Sequence, residues 1–284
     1  MHPVVLDGGL ATHLESLGCD LSDDLWSARL LADDPGVVRR AHLDYFRAGA
    51  DVATTASYQA SVPGFVRHGL SPREARDLVR LSVTLAVQAR DEAGHGLVAA
   101  SVGPYGAYLA DGSEYTGDYD LDEDGLAEWH RERFGLLAEA GADLLACETI
   151  PSRAEALALA RLLRETPSVR AWVAFSCRDG EHVSDGTPFE ECIAIFAGLP
   201  QVVAVGVNCT APRFVPELVG RGAAVVYPNS GESWDAANRR WLGLADPVEF
   251  GGAAAGWVSR GAQYVGGCCR TTPAHIREIR SRLT

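Results

Sequence analysis

Clustered basic residues are missing from this chain of 284 residues, in which 25 Lys and Arg stand against 38 Asp and Glu for a formal net charge of −13. Phosphate backbones are gripped by grouped Lys and Arg, so nucleic acid is excluded as a main partner. Also missing is any apolar run long enough to span a bilayer, which excludes a membrane-spanning helix. The opening Met-His-Pro-Val-Val-Leu-Asp lacks the basic segment and apolar stretch of a secretory signal, so a cytoplasmic location is expected. No low-complexity tract or block of like charge stands in the way of a packed core. Seven cysteines are too sparse for a secreted disulfide scaffold, and no Cys-x-x-Cys spacing marks a redox motif. Four of them, Cys19, Cys147, Cys177 and Cys192, have no ligand-like grouping and are expected as core or near-surface thiols. The sequence carries no signal for oligomeric state.

What is present is a repeating alternation. Short runs rich in Val, Ala and Leu at 4–6, 51–56, 97–102, 142–147, 171–176, 202–207, 223–227 and 264–266 read as strands. Helical periodicity fills 34–48, 71–93, 123–140, 152–165, 188–197, 212–220, 247–260 and 273–283. Ser71-Pro72 before Glu74, Pro151-Ser152 before Glu155, and Thr272-Pro273 are helix starts, while Gly49 and Gly141 end helices. Eight such units without a linker predict one α/β domain over 1–284, a closed (β/α)₈ TIM barrel, with a doubly wound open sheet as the other topology. Active sites of barrels lie at the C-terminal ends of the strands. That face would carry Asp7, Ser57, Gly103, Glu148, Ser176, Cys209, Asn229 and Cys268-Cys269. Three longer connections, 104–123, 178–188 and 230–244, are the places for lids or substrate pockets.

Adjacent Cys268 and Cys269, in Val-Gly-Gly-Cys-Cys-Arg-Thr-Thr-Pro, are poor partners for each other, because a disulfide between neighbours closes a strained ring. Flexible glycines before them allow both thiolates to face one metal ion. Cys209, in Val-Gly-Val-Asn-Cys-Thr, sits at the end of the sixth strand, one strand removed from the eighth, and would complete a three-thiolate zinc site. Three protein ligands leave one tetrahedral position open, the mark of catalytic zinc. Against this stand three small buried hydrophobes, or a nucleophilic or redox cysteine with a partner brought in by the fold.

Asp7, in Leu-Asp-Gly-Gly-Leu-Ala-Thr, either caps a turn or binds a ligand ammonium while the amides of Gly8 and Gly9 take its carboxylate. Glu148 follows an apolar strand and must find a partner or face a pocket. Ser57, Asn208, Asn229 and Tyr105 are further candidate substrate contacts. Tyr105, Tyr108, Tyr115 and Tyr119 share one long loop and offer aromatic faces to a cation, or are an ordinary exposed loop. Trp26, Trp234 and Trp241 are read as packing residues.

Asp7-Gly-Gly-Leu-Ala-Thr, Thr55-Ala-Ser-Tyr-Gln-Ala-Ser, Gly103-Pro-Tyr-Gly-Ala-Tyr-Leu-Ala-Asp-Gly-Ser-Glu-Tyr, Glu148-Thr, Gly206-Val-Asn-Cys-Thr, Tyr227-Pro-Asn-Ser-Gly-Glu and Gly266-Gly-Cys-Cys-Arg-Thr-Thr-Pro together resemble the homocysteine S-methyltransferase family, over almost the whole chain. The resemblance implies a zinc-dependent (β/α)₈ barrel with Cys209, Cys268 and Cys269 as ligands. It implies Asp7, the following glycine amides and Glu148 as contacts to the amino-acid end of homocysteine. The tyrosine loop and Tyr-Pro-Asn-Ser-Gly-Glu look most like single-domain members that use S-methylmethionine, with S-adenosylmethionine as a lesser donor. Thr149 stands where betaine-using relatives carry tyrosine, and folate-using relatives carry further domains for which this chain is expected to be too short. The expected partners are therefore small molecules, homocysteine and a sulfonium methyl donor. The expected reaction is transfer of methyl to the homocysteine thiol, giving methionine. The other readings are a catalytically silent zinc-binding barrel, a hydrolase-type barrel with Cys209 as nucleophile, and a methyltransferase directed to betaine or to selenium acceptors.

Overall fold

The computed structural model describes residues 2–22, 25–235, 240–242 and 246–284, and the side chains of Trp26 and of 233–242 lie outside the described set. The expectations for Trp26, Trp234 and Trp241 therefore fall outside the described side chains, as does part of the connection 230–244. The barrel strands are β1 (Val4–Val5), β2 (Val52–Thr54), β3 (Leu97–Val102), β4 (Leu144–Ile150), β5 (Ala171–Phe175), β6 (Val202–Asn208), β7 (Val225–Tyr227) and β8 (Tyr264–Val265). The helices that follow them are α1 (Pro35–Arg47), α2 (Pro72–Ala93), α3 (Glu123–Ala138), α4 (Arg153–Glu165), α5 (Phe189–Ile195), α6 (Val215–Gly220), α7 (Pro247–Ser259) and α8 (Pro273–Leu283). All eight strands pair in parallel, β1 beside β8 at one side and β2 beside β3 at the other. A parallel bridge between Leu6 and Val52 closes the ring, so the TIM barrel is the fold and the open sheet is set aside.

Side chains alternate across this ring as strand geometry requires. Along β5, Ala171, Val173 and Phe175 pack outward against the helices, while Trp172 and Ala174 fill the barrel interior with Leu6, Val52, Ala99, Leu144, Ala146 and Tyr227. The same alternation in β4 turns Leu144 and Ala146 inward, and continues to Glu148 on the interior face. Gly206 lies within β6 because a Cβ there would stand 1.9 Å from the Val225 carbonyl oxygen, so only glycine lets β6 lie this close to β7. Helix α2 starts as its sequence announces: Ser71 and Glu74 form a reciprocal capping box, Pro72 opens the first turn, and Gly94 ends it at φ 77°. Cys147, Cys177 and Cys192 are buried between strands and helices, and Cys19 is half-buried in a small apolar cluster.

The structure adds elements that periodicity did not reveal. Helices Leu10–Ser16, Leu30–Asp33, Val62–Arg67 and Tyr105–Leu109 sit in the connections, and the last two long-loop strands, Ser233–Asp235 and Arg240–Leu242, pair as a hairpin. Each is too short to show a full amphipathic repeat. Strand β4 also runs on to Ile150, past a register shift against β5 between Cys147 and Ile150, so the segment carrying Glu148 and Thr149 bulges within the strand.

Candidate active site and metal centre

At the C-terminal ends of the strands lies a cavity of about 730 Å³. Its wall includes Gly8, Gly9, Thr54, Tyr58, Glu114, Tyr115, Glu148, Asn208, Cys209, Asn229, Glu232, Cys268, Cys269 and Arg270. The ends of β6 and β8 bring the three cysteines together, with their Sγ atoms all within 4.8 Å of one another, an arrangement able to hold a metal ion. Cys209 Sγ and Cys269 Sγ stand 3.5 Å apart. Backbone contacts fix the pair at β8: the Cys268 amide donates to the Pro228 carbonyl at 2.8 Å, and the Cys269 amide donates to Asn229 Oδ1 at 3.2 Å. Gly9 packs on the Cys268 carbonyl so tightly that a Cβ would approach its oxygen to 2.5 Å. Hydrogen bonds from the Cys268 and Cys269 thiols, with others from Tyr115 and Asn229, hold the Cys209 thiol well below its ordinary value. The same shared proton pattern pushes Cys268 and Cys269 up. The three thiols therefore titrate as one set, in which a first thiolate is stabilised by hydrogen bonds from its neighbours.

Three non-glycine residues here adopt left-handed backbone, Thr149 at φ 59°, Cys209 at φ 48° and Arg270 at φ 66°. For a β-branched residue this is costly, and the surroundings must hold it. Asn208 does so: its Oδ1 accepts from the Thr149 amide at 2.7 Å, and its Nδ2 donates to Thr149 Oγ1 at 2.8 Å. The Asn208 amide also faces Cys268 Sγ at 3.9 Å. One buried side chain thus locks the β4 bulge to the cysteine cluster. Glu148, on the interior face that Leu144 and Ala146 share, accepts from Ser101 Oγ and, at 3.0 Å, from the Tyr227 hydroxyl. Burial pushes its carboxyl up to about 7 against these two hydrogen bonds, which pull it down. Tyr227 is held in turn by Trp172 Nε1 at 3.0 Å.

Asp7 stands behind the wall. It is 3% exposed, accepts from the Thr54 amide at 2.8 Å and from the Thr54 hydroxyl, and burial raises its carboxyl well above the usual range. Thr54, not Asp7, reaches the cavity surface. The Gly9 amide, expected to face a ligand carboxylate, donates instead to Thr271 Oγ1 at 3.0 Å. Ser57 does not line the cavity: it is buried and bonded to the Ser101 carbonyl at 2.7 Å and to Thr55. Tyr105 is also withdrawn, because its ring packs on Trp129, Tyr119 and Tyr108 at centroid distances of 5.1, 5.3 and 5.9 Å. The Tyr108 face is covered by the Arg67 guanidinium 4.1 Å away. Of the four loop tyrosines, Tyr115 alone lines the cavity, with its hydroxyl 3.2 Å from Cys209 Sγ.

A sequence model of the homocysteine S-methyltransferase family matches residues 4–283. The chain belongs to that family. It is 49% identical over 292 residues to homocysteine S-methyltransferase YbgG of Bacillus subtilis (strain 168), across 97% of this chain and 93% of that protein. Two crystal structures of the homocysteine methyltransferase MmuM from Escherichia coli share its fold. The oxidised form superposes with a TM-score of 0.88 at 46% identity, covering 99% of this chain and 96% of that one. The metallated form gives 0.85 at 47%, with the same coverage.

Several wall residues were not singled out from the sequence: Thr54, Tyr58, Glu114, Glu232 and Arg270. For Tyr58 and Glu114 a signal was present, since each lies inside a family-like motif, Thr55-Ala-Ser-Tyr-Gln and Gly-Ser-Glu-Tyr. Glu232 and Arg270 also lie inside such motifs, Tyr-Pro-Asn-Ser-Gly-Glu and Gly-Gly-Cys-Cys-Arg, and the fold brings them together: Arg270 Nε meets Glu232 Oε2 at 3.0 Å across the gap between the seventh and eighth loops. Among the described residues, no helix is long and apolar enough to cross a membrane.

Proposed function

We propose that this enzyme transfers a methyl group from a sulfonium donor, S-methylmethionine with S-adenosylmethionine as a lesser donor, to the thiol of L-homocysteine, giving methionine. The observation that carries this reading is the convergence of Cys209, Cys268 and Cys269 within 4.8 Å at the wall of the cavity. The names of the relatives support the acceptor, and the metallated form of the Escherichia coli protein supports a metal. Tetrahedral zinc with thiolate bonds of about 2.3 Å spaces its sulfurs by about 3.8 Å. The 3.5 Å separation of Cys209 and Cys269 fits that spacing. Three soft thiolates are also a donor set suited to zinc.

Cys209, Cys268 and Cys269 would hold the ion and leave one of its positions for substrate. When bound, zinc would supply a Lewis acid that lowers the pKa of a coordinated thiol, so that its proton passes to solvent and the sulfur stays a nucleophile. Asn208 keeps Cys268 and the β4 bulge in one arrangement, and Asn229 fixes the Cys269 backbone. Glu148, anchored by Ser101 and Tyr227, faces the substrate ammonium, which would draw its carboxyl to the ionised form. Asp7 supports that end through Thr54, and Gly8 and Gly9 border it. Methyl moves in line from one sulfur to the other, and the breaking carbon–sulfur bond leaves its electron pair on the neutral thioether. No proton is needed at either sulfur. In keeping with this, no histidine lines the cavity among the described residues. Opposite charges cancel as the methyl moves, so exclusion of water favours the reaction.

The test is methionine formation from homocysteine with S-methylmethionine, S-adenosylmethionine and betaine in parallel, on reduced protein of known zinc content. Turnover with a sulfonium donor should vanish on chelation and return with zinc. Folded, zinc-loaded protein without turnover on any donor would overturn the proposal.

A further inference from the structure

Four carboxylates border the cavity: Glu15, Glu114, Glu148 and Glu232. Glu15 is exposed at the mouth. Glu148 is bonded to Ser101 and Tyr227, and Glu232 to Arg270 and Ser230. Glu114 differs: its Oε2 is buried and accepts no hydrogen bond. The backbone N–H groups of Glu114 itself and of Gly112 approach the carboxyl. Burial first, then the nearby Cys209 and Asp111, make its negative charge unfavourable as the protein stands. A desolvated carboxylate without a counter-charge is expensive, and its native partner is then sought outside the chain.

The position is rigid through the backbone rather than through the carboxylate. Ser176 Oγ donates to the Glu114 carbonyl at 3.2 Å, and the turn Ser113–Tyr115 packs so closely on Gly106 that a Cβ there would stand 2.3 Å from the Glu114 amide nitrogen. The next residue, Tyr115, reaches Cys209 Sγ at 3.2 Å. The Glu114-Tyr115 turn therefore borders the place where the acceptor sulfur is activated. The methyl carbon must come within about 3–3.5 Å of the acceptor sulfur with the donor sulfur one bond beyond it, and Glu114 and Tyr115 line the cavity that would receive that donor. A sulfonium carries three carbons and no N–H. It cannot use a hydrogen-bond acceptor geometry and responds only to nearby charge and to aromatic faces, here those of Tyr58 and Tyr115.

We propose that Glu114 is the counter-charge of the donor sulfonium and makes the donor end of the cavity select a cation over its neutral counterpart. This rests on the methyltransferase reading above. The attraction is present on binding and disappears once methyl has left, because the product sulfur is neutral. Glu114 thus acts on donor affinity and on release of product, and its loss appears in the donor KM rather than in kcat.

The experiment is calorimetric binding to zinc-loaded wild type and Glu114→Gln, using S-methylmethionine, methionine, and the amino acid in which carbon replaces the sulfonium sulfur. Wild type should prefer the cation by about tenfold or more. Glu114→Gln should bring all three ligands to within about threefold of one another, with Glu114→Asp between, a melting temperature that does not fall and an unchanged homocysteine KM. A wild-type preference that persists in Glu114→Gln, or a wild type with no preference, overturns the role of Glu114. Turnover of S-methylmethionine with homocysteine is assayed on the same preparations. Its absence in wild type refutes the functional reading itself, whereas turnover with an unaltered charge preference in Glu114→Gln refutes only this inference.

Discussion

Glu148 shows how one residue's place in a repeat sets its chemistry. Leu144, Ala146 and Glu148 share the interior face of β4, and the bulge that follows keeps the carboxyl there, with Ser101 and Tyr227 as partners. Its carboxyl stands at about 7 in the folded protein against 4.5 ordinarily, mainly through burial. Below the lower value both folded and unfolded chains hold the proton, and the residue costs nothing. Between the two values the unfolded chain ionises while the folded one keeps its proton, so this group makes stability fall as pH rises, and the cost is complete above about 7. Glu148→Gln removes that dependence. Denaturant titrations should show the variant gaining about 2 kcal/mol on wild type between about pH 5 and about pH 8. A difference that stays flat over that range would mean the carboxylate is better solvated than its burial implies. Much at this scale was legible: Glu148 and the three cysteines follow from strand ends and residue type. Ser57 and Tyr105 stand at equally plausible positions, yet Ser57 spends its hydroxyl on the Ser101 carbonyl and Tyr105 spends its ring on Trp129.

Between strands, the design depends on close approach of backbones. The loop after β1 touches the loop after β8 at Gly9 and the Cys268 carbonyl, where an added methyl group would stand 2.5 Å from oxygen. Gly9 has φ −63° and ψ 99°, so alanine is excluded by its neighbour and not by its own dihedrals. Gly9→Ala is expected to displace Cys268, costing about 1–3 kcal/mol by overpacking and weakening zinc binding by about tenfold or more in competition with a chromogenic chelator. Gly135 in α3 is the control, since a Cβ there meets nothing within 4 Å. Gly135→Ala should stabilise by about 0.5–1 kcal/mol and leave zinc affinity alone. Equal zinc affinity in both variants would show that the Gly9 contact does not position the thiol. The long barrel helices were legible because each shows several amphipathic repeats or a capping signal, as Ser71 and Glu74 do for α2. The one- and two-turn helices in the loops were not, for want of length.

For the molecule as a whole, the ring is closed without a metal: Leu6 pairs with Val52, and every strand has two neighbours. An ion at the cysteine cluster would bridge the ends of β6 and β8 on one face only. Its removal is expected to lower the melting temperature while far-ultraviolet circular dichroism stays that of a folded barrel. Binding to the folded state alone stabilises by about 4 kcal/mol when free ion exceeds its Kd by about a thousandfold. Loss of secondary structure on chelation at moderate temperature, or no shift in melting temperature, would contradict this division between frame and site. The sequence by itself determined the frame, because the periods of strand and helix are local properties repeated eight times in register with turn and capping residues. It also determined that three thiols stand at the ends of β6 and β8. Only the tertiary structure decided which side chains share the cavity. Tyr105 and Tyr115 lie in one loop with the same chemistry, and the ring surfaces of Tyr119 and Trp129 claim the first while the second is left facing Cys209. Glu114 and Glu155 are likewise both carboxylates with a buried Oε2 that accepts no hydrogen bond, but His130 and the Tyr105 amide hold Oε1 of Glu155 away from the cavity, whereas Glu114 lines it. The partners come from strands far apart in the chain, and that is why local pattern could not assign them.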